Sequence, residues 1–323
     1  MLIRHIALCL ALASPATADV QEVVMTHILP GYAAFAEATN ALATQADGTC
    51  DVEAIKPAFH TAYDAWIAVQ HIRIGPVEND GRGLAIAFWP DPKALGAKAQ
   101  RALMTGDPAK LDPAVFAEQS VAARGLAGLE RLLYHFEPLP ADPCPLIRAT
   151  ATDLARLAAE VRSGWTEGFA DNLVSTGGAG NTIFLTDTEA RQALFTQLAT
   201  GLEFTADQRL GRPLGDFDRP RPELAEARAS ARSLRNVLLS LRAVRAMAMA
   251  LTPDNAQTVA AFDQAIALAE ALQDPVFADV ATPQGRLKVE ILQQAVRRAR
   301  DTARTELAPA LGVGVGFNSQ DGD

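Results

Sequence analysis

The sequence predicts an all-α protein, and three observations carry that prediction. Ala, Leu, Glu, Gln and Arg dominate its 323 residues, which are the residue types that lose least on entering a helix. Period-two runs of β-branched or aromatic residues are scarce. Helix-starting signals recur along the chain. Asp112-Pro113, Asp142-Pro143 and Thr282-Pro283 each set a capping residue ahead of a proline, and Thr186-Asp187-Thr188-Glu189 is a capping box. The apolar spacing predicts helices over 20–46, 52–74, 92–105, 113–136, 143–172, 187–211, 221–251, 254–273 and 283–309. Pro57 is expected to delay or kink the second of these.

Ahead of the helices, residues 1–18 read as a secretory signal. Arg4 and His5 give a positive start, Ile6 to Ala13 an apolar core, and Ala16-Thr17-Ala18 a small-residue cleavage site. That core is too short to span a bilayer, which takes about 20 residues. Cys9 follows Leu8 where a lipoprotein signal wants a small residue, so no lipid anchor is expected. No later stretch is long and apolar enough to span, so the expectation is an exported protein of a Gram-negative periplasm, not embedded in the membrane. Lys plus Arg number 29 against 38 Asp plus Glu. The signal carries Arg4 and no acid, so the mature balance is 28 against 38, or −10. Such a charge argues against nucleic acid or an anionic membrane as partner.

Export leaves Cys50 and Cys144 as the mature cysteines, and an oxidising compartment favours pairing them. Both sit at predicted helix starts. In an up-down bundle the second and fourth helices begin at the same end, so a disulfide is expected.

The 305 residues left after the signal (323 less 18) exceed one bundle, so two domains are expected, 19–178 and 179–323. Their boundary falls at Ser175-Thr176-Gly177-Gly178-Ala179-Gly180-Asn181, read as a hinge. It lacks the Gly-Lys-Ser/Thr and the preceding strand of a phosphate loop.

Chemistry concentrates in three places. On a helix through Arg124–His135, Leu126, Leu129 and Leu133 share an apolar face with Ala122, and Glu130 stands at its edge in a stripe with Ala123, Ala127 and Tyr134. Small residues beside an acid let a neighbouring helix approach, so the carboxylate needs a cation, a proton or donors. A bond to a neighbouring Arg or Tyr meets that need as well as a metal does. On the helix near 60–74, His60, Asp64 and His71 lie along one edge, with either metal ligation or an ordinary polar edge as their meaning. The long Gly75–Pro92 connection carries Glu78, Asp80, Arg82, Trp89 and Asp91. If it folds over the Glu130 helix, Glu130, Glu78, Asp80, Asp91, Tyr134 and His71 form an oxygen-rich set suited to a hard cation. Further on, Arg228, Arg232, Arg235, Arg242 and Arg245 recur at helical spacing, as a solvated edge or with Arg235 and Asn236 turned inward. No H-E-x-x-H helix and no nucleophile signature is visible, so peptidase chemistry has no motif here.

Gly125…Glu130 resembles the G-x-H-x-x-E motif of the imelysin family, with Ala127 at the position of the motif's histidine. The resemblance extends through Ala65-Trp66 and His71-Ile72-Arg73-Ile74-Gly75-Pro76, then Phe88-Trp89-Pro90-Asp91. It continues at Arg221-Pro222-Glu223-Leu224, at Ser233-Leu234-Arg235-Asn236 and at the ending Gly316–Asp323. It implies two packed four-helix bundles and a role in bacterial iron uptake. Together with the oxygen-rich set read from the loop, the expected metal ligands are Glu130, His71, Asp91 and Glu78, with iron the ion that the resemblance favours. Arg73, Trp89, Tyr134, Arg235, Asn318 and Asp321 are marked as binding residues, the last two on a tail docked near the domain interface. The expected role is a non-catalytic periplasmic accessory that binds metal or meets iron-uptake components of the membrane. The alternatives are a metallopeptidase of the imelysin type, or a ligand-free interaction module whose metal site has degenerated.

Overall fold

A computed structural model describes residues 20–135, 137–253 and 255–314. The expected secretory signal, residues 1–18, and the expected binding residues Asn318 and Asp321 lie outside the described residues.

Nine helices of nine or more residues are present among the described residues: α1 Leu29–Gly48, α2 Val52–Val69, α3 Leu95–Met104, α4 Gly125–Leu133, α5 Cys144–Gly164, α6 Asp187–Glu203, α7 Ser233–Leu251, α8 Ala256–Ala271 and α9 Pro283–Leu311. No strand forms there beyond one isolated bridge, Asp216 to Arg219. The protein is all-α. None of the described helices is long and apolar enough to cross a membrane.

Capping and apolar spacing explain most of these elements. Asp51 accepts the Glu53 backbone N–H at 3.0 Å to start α2, which buries Ile55, Phe59, Tyr63, Trp66 and Ile67. That helix runs through Pro57, which removes the bond to the Glu53 carbonyl without ending it. Thr186 caps α6 through the Glu189 N–H at 3.2 Å, and Thr282 caps α9 through Gly285 at 3.1 Å.

In the first half, α1 packs on α2 and α5, and α4 packs on α5 and α2. In the second, α9 packs on α8 and α6, and α7 on α8. The halves meet where α2 lies against α7, and the buried apolar side chains of both form one continuous core. The segment around Ser175–Asn181 is a bonded turn: Gly177 donates to the Phe184 carbonyl at 3.0 Å, and Asn181 Nδ2 to those of Asn172 and Ser175 at 2.8 and 3.0 Å. Cys50, just ahead of α2, is joined to Cys144 at the start of α5, with Cα atoms 5.4 Å apart. Closing a loop that long is worth on the order of 4 kcal/mol in the chain-entropy account.

Several expected helices are broken, and the breaks matter for the site. The 113–136 stretch divides into Pro113–Phe116, a 3-10 turn at Val121–Ala123, and α4. Gly125 at φ 64° turns the chain under the Ala85–Ile86 backbone, where an added Cβ would stand 2.2 and 2.3 Å from two carbonyl oxygens. The 221–251 stretch begins as a 3-10 turn, Pro222–Leu224, and passes Ala227 and Ala231 at φ 48° and 57° before α7. Expected helices 143–172 and 187–211 hold π-helical turns at Trp165–Phe169 and Phe204–Leu210. A third such turn, Val24–Ile28, precedes α1.

Candidate functional site

The turns at Gly125 and at Ala227–Ala231 bring two distant segments together along the meeting line of the halves. Glu130 on α4 faces Ser230, 100 residues away in sequence. Its Oε1 accepts both the Ser230 backbone N–H at 2.9 Å and the Ser230 hydroxyl at 2.7 Å. Among the described residues, its Oε2 accepts no hydrogen bond. Burial pushes the Glu130 carboxyl above its usual range, and the nearby Glu226 carboxylate adds to this. The Ser230 donors and Arg131 oppose the rise.

On one side of Glu130 lies a charged rim. The buried Arg232 guanidinium stacks over the Tyr63 ring, 4.7 Å from its centroid, and donates to Asp64. It also meets His60 Nδ1 at 2.9 Å. Because Arg232 only donates, His60 Nδ1 accepts, which puts the imidazole proton on Nε2, 2.7 Å from the Tyr134 hydroxyl. Burial lowers the His60 pKa, and the Arg232 charge lowers it further. Asp64 also binds Arg235. Burial pulls the Asp64 carboxyl up, but the two guanidiniums outweigh it and hold the group below its usual range.

On the other side is a buried network. Glu226 Oε2 accepts from Arg209 Nε at 2.7 Å and from Asn236 Nδ2 at 2.9 Å. Arg209 also donates to Ser240 Oγ at 3.1 Å and to the Gln70 side-chain carbonyl. Burial drives the Tyr63 phenol well above its ordinary pKa, helped by the Glu226 and Glu130 carboxylates. Tyr63 therefore stays a neutral phenol near two acids. Glu130 Oε2, the Tyr63 hydroxyl and the second Glu226 oxygen make no hydrogen bond among the described residues, and oxygens of these types are what a hard cation takes.

The expected metal set is distributed differently. Among the described residues, no three His, Cys, Asp or Glu side chains come together to hold a metal ion. Asp91 spends both oxygens on a helix cap, accepting from Leu95 and Gly96 at 2.9 and 2.8 Å. Glu78 is exposed on the loop. His71 is buried with its Nε2 3.0 Å from His27 Nε2. Trp89 packs edge-on to Phe204 at 6.0 Å, and the Arg73 backbone N–H donates to Gln197 at 2.9 Å. Tyr134 and Arg235 do reach the seam, through His60 and Asp64. The long loop thus caps α3 and packs on the second half, and does not bring its acids to Glu130.

Ser230, Glu226, Arg209 and Tyr63 were not singled out by sequence reasoning. Arg232 lay in the noted arginine stripe, but spacing alone does not say which arginine turns inward.

The His27–His71 pair has a consequence for acid stability. Burial lowers His27 to about 4, from a usual value near 6.5. The unfolded chain therefore takes up this proton at higher pH than the folded one, and stability present above 6.5 falls as pH drops toward 4. From His27 alone the loss between pH 7 and 5 is about 2 kcal/mol. Urea unfolding across this range is expected to show a shallower decline for His27→Gln than for the unsubstituted protein. Parallel declines would rule this origin out.

The fold and seam together define an all-α protein of the two-bundle type with a polar site where α2, α4 and the approach to α7 meet. A sequence model of the family described as imelysin (peptidase M75) matches residues 28–303, and the chain belongs to that family. Iron-regulated protein A of Synechococcus elongatus is 23% identical over 319 residues, covering 90% of this chain and 86% of that protein. Among solved structures, an imelysin-like protein from Psychrobacter arcticum superposes with a TM-score of 0.76 at 19% identity. That alignment covers 94% of this chain and all of the other, and it shows a shared fold.

Proposed function

We propose that this protein is an exported periplasmic accessory in the acquisition of iron or another hard metal. It binds its cargo at the seam and hands it to membrane components of uptake, without turning over a substrate. Residues 19–178 and 179–323 act as two bundles with the site between them. The observation that carries this reading is the buried Glu130 carboxylate, anchored from across the seam by Ser230 through Oε1 alone and felt electrostatically by the Tyr63 phenol, as is Glu226. Carboxylate oxygens suit a hard cation, ferric iron among them, and the Tyr63 phenol would join them as a ligand by giving up its proton. The name of the Synechococcus relative supports an iron context.

Catalytic zinc draws on three protein ligands and a base, and Ala127 offers no imidazole where the motif has one. The reading is tested by growth of a strain lacking this protein under iron limitation, complemented with the unsubstituted or the Glu130→Ala form. Rescue by the first and not the second supports it. Chelator-sensitive cleavage of unfolded substrates, lost in Glu130→Ala, would replace it with the peptidase.

A further inference from the structure

A cavity of about 140 Å³ lies where the chain leaves α2, lined by Gln70, His71, Arg73, Phe204, Arg209 and Ser240 among others, and it shares Arg209, Ser240 and Gln70 with the buried network of the seam. Its charge is unbalanced. Arg209 is answered by Glu226 at 2.7 Å, but among the described residues the Arg73 guanidinium has neither an ion pair nor a hydrogen bond. It rests on the Phe204 ring, 5.9 Å from the centroid, and Arg209 faces the same ring at 4.9 Å. Arg73 is exposed as a residue, yet burial is the main cause that lowers its guanidinium pKa, so the head group sits partly inside the cavity with five N–H donors to offer a ligand.

Two further donors on the wall are unspent. His71 Nδ1 is buried without a partner. The His27–His71 contact at 3.0 Å needs one donor, and the tautomer in which His27 donates leaves the His71 proton on Nδ1. Gln70 gives its carbonyl oxygen to Arg209, which leaves its amide N–H₂ without a partner.

The backbone around this cavity is irregular in a way that builds it. The π-helical turn Val24–Ile28 brings His27 to His71, and the turn Phe204–Leu210 supplies both Phe204 and Arg209. The third π turn, Trp165–Phe169, sets the Phe169 ring against Gly75, just beyond Arg73. Such turns give up regular helical hydrogen bonding and recur at functional sites.

We propose that this cavity binds a small oxyanion, seated on the planar fork of Arg73 and completed by the Gln70 amide and the His71 Nδ1–H. A guanidinium pairs with carboxylate or phosphate through two parallel hydrogen bonds. The volume equals that of about five waters, enough for inorganic phosphate or a short dicarboxylate and too little for a nucleotide or peptide. The proposal does not rest on metal binding at Glu130.

The test is calorimetric titration of the mature protein with inorganic phosphate and, separately, with succinate, in a low-chloride Tris buffer. Saturable binding of either is expected, weakened about tenfold or more by Arg73→Gln and less by Arg73→Lys, which keeps the charge and loses the fork. Arg242→Gln, on the far exposed face, is expected to bind as the unsubstituted protein does. Because the Arg73 side chain gives up only its contact with the Phe204 ring, its variants should melt within a few degrees of the unsubstituted protein. Binding of phosphate alone identifies the phosphate class, and binding of succinate alone the carboxylate class. No saturation by either below about 10 mM, or equal affinity in Arg73→Gln, overturns the proposal.

Discussion

Arg209→Met is expected to destabilise the folded protein by about 3–5 kcal/mol. Arg209 and Glu226 are each 3% exposed, and their ion pair is 2.7 Å long. Removing the guanidinium leaves the Glu226 carboxylate buried with only the Asn236 amide on that oxygen, and strips donors from Ser240 and Gln70. The large cost comes from the uncompensated charge, not from the pair itself. Replacing both partners, Arg209→Met with Glu226→Leu, is therefore expected to recover much of the loss. Urea unfolding of the two single variants and the double closes that cycle. A single-variant loss under about 1 kcal/mol would mean that the pair is hydrated in solution.

Gly125→Ala is the second large effect, with a loss of about 3 kcal/mol or more. Two costs add: a left-handed conformation forced on a residue with a side chain, and a Cβ driven into backbone. The Cβ would meet the Ala85 and Ile86 carbonyl oxygens at 2.2 and 2.3 Å, and neither can swing aside as a side-chain tip would. Gly312 supplies the contrast. It has nearly the same φ, 67°, but nothing within 4 Å of a built Cβ, so Gly312→Ala should cost only about 1 kcal/mol. Equal effects at the two glycines would show that the close approach under Ala85–Ile86 is absent. Because Gly125 starts α4, its substitution should also draw Glu130 away from Ser230 and weaken the seam.

What was legible in the sequence was local. Apolar spacing placed Leu126, Leu129 and Leu133 on a buried face, and all three are buried. Capping pairs located the starts of α6 and α9, and the positions of Cys50 and Cys144 at two helix starts anticipated their disulfide. What stayed hidden depends on backbone turns without a residue signature. Ala227 and Ala231 hold positive φ, and alanine gives no warning of that. Without those turns Ser230 does not reach Glu130. The acids of the Gly75–Pro92 loop were misjudged for a related reason: Asp91 reads equally well as a ligand and as a cap, and the Leu95 and Gly96 amides took it. The inward turn of Arg232 is likewise set by Asp64 and His60 on α2, far away in sequence.

The seam at Glu130 is tested most directly by metal binding, measured by calorimetry with elemental analysis on the unsubstituted protein and Glu130→Ala. Ferric iron supplied as a weak chelate, zinc and calcium form the panel. The variant is expected to fold, because the Ser230 hydroxyl retains the Ala227 carbonyl at 3.2 Å as an acceptor. The account predicts stoichiometric binding of the hard cation by the unsubstituted protein, and a loss of about tenfold or more in affinity in Glu130→Ala. No binding by either protein, or equal binding by both, would contradict it.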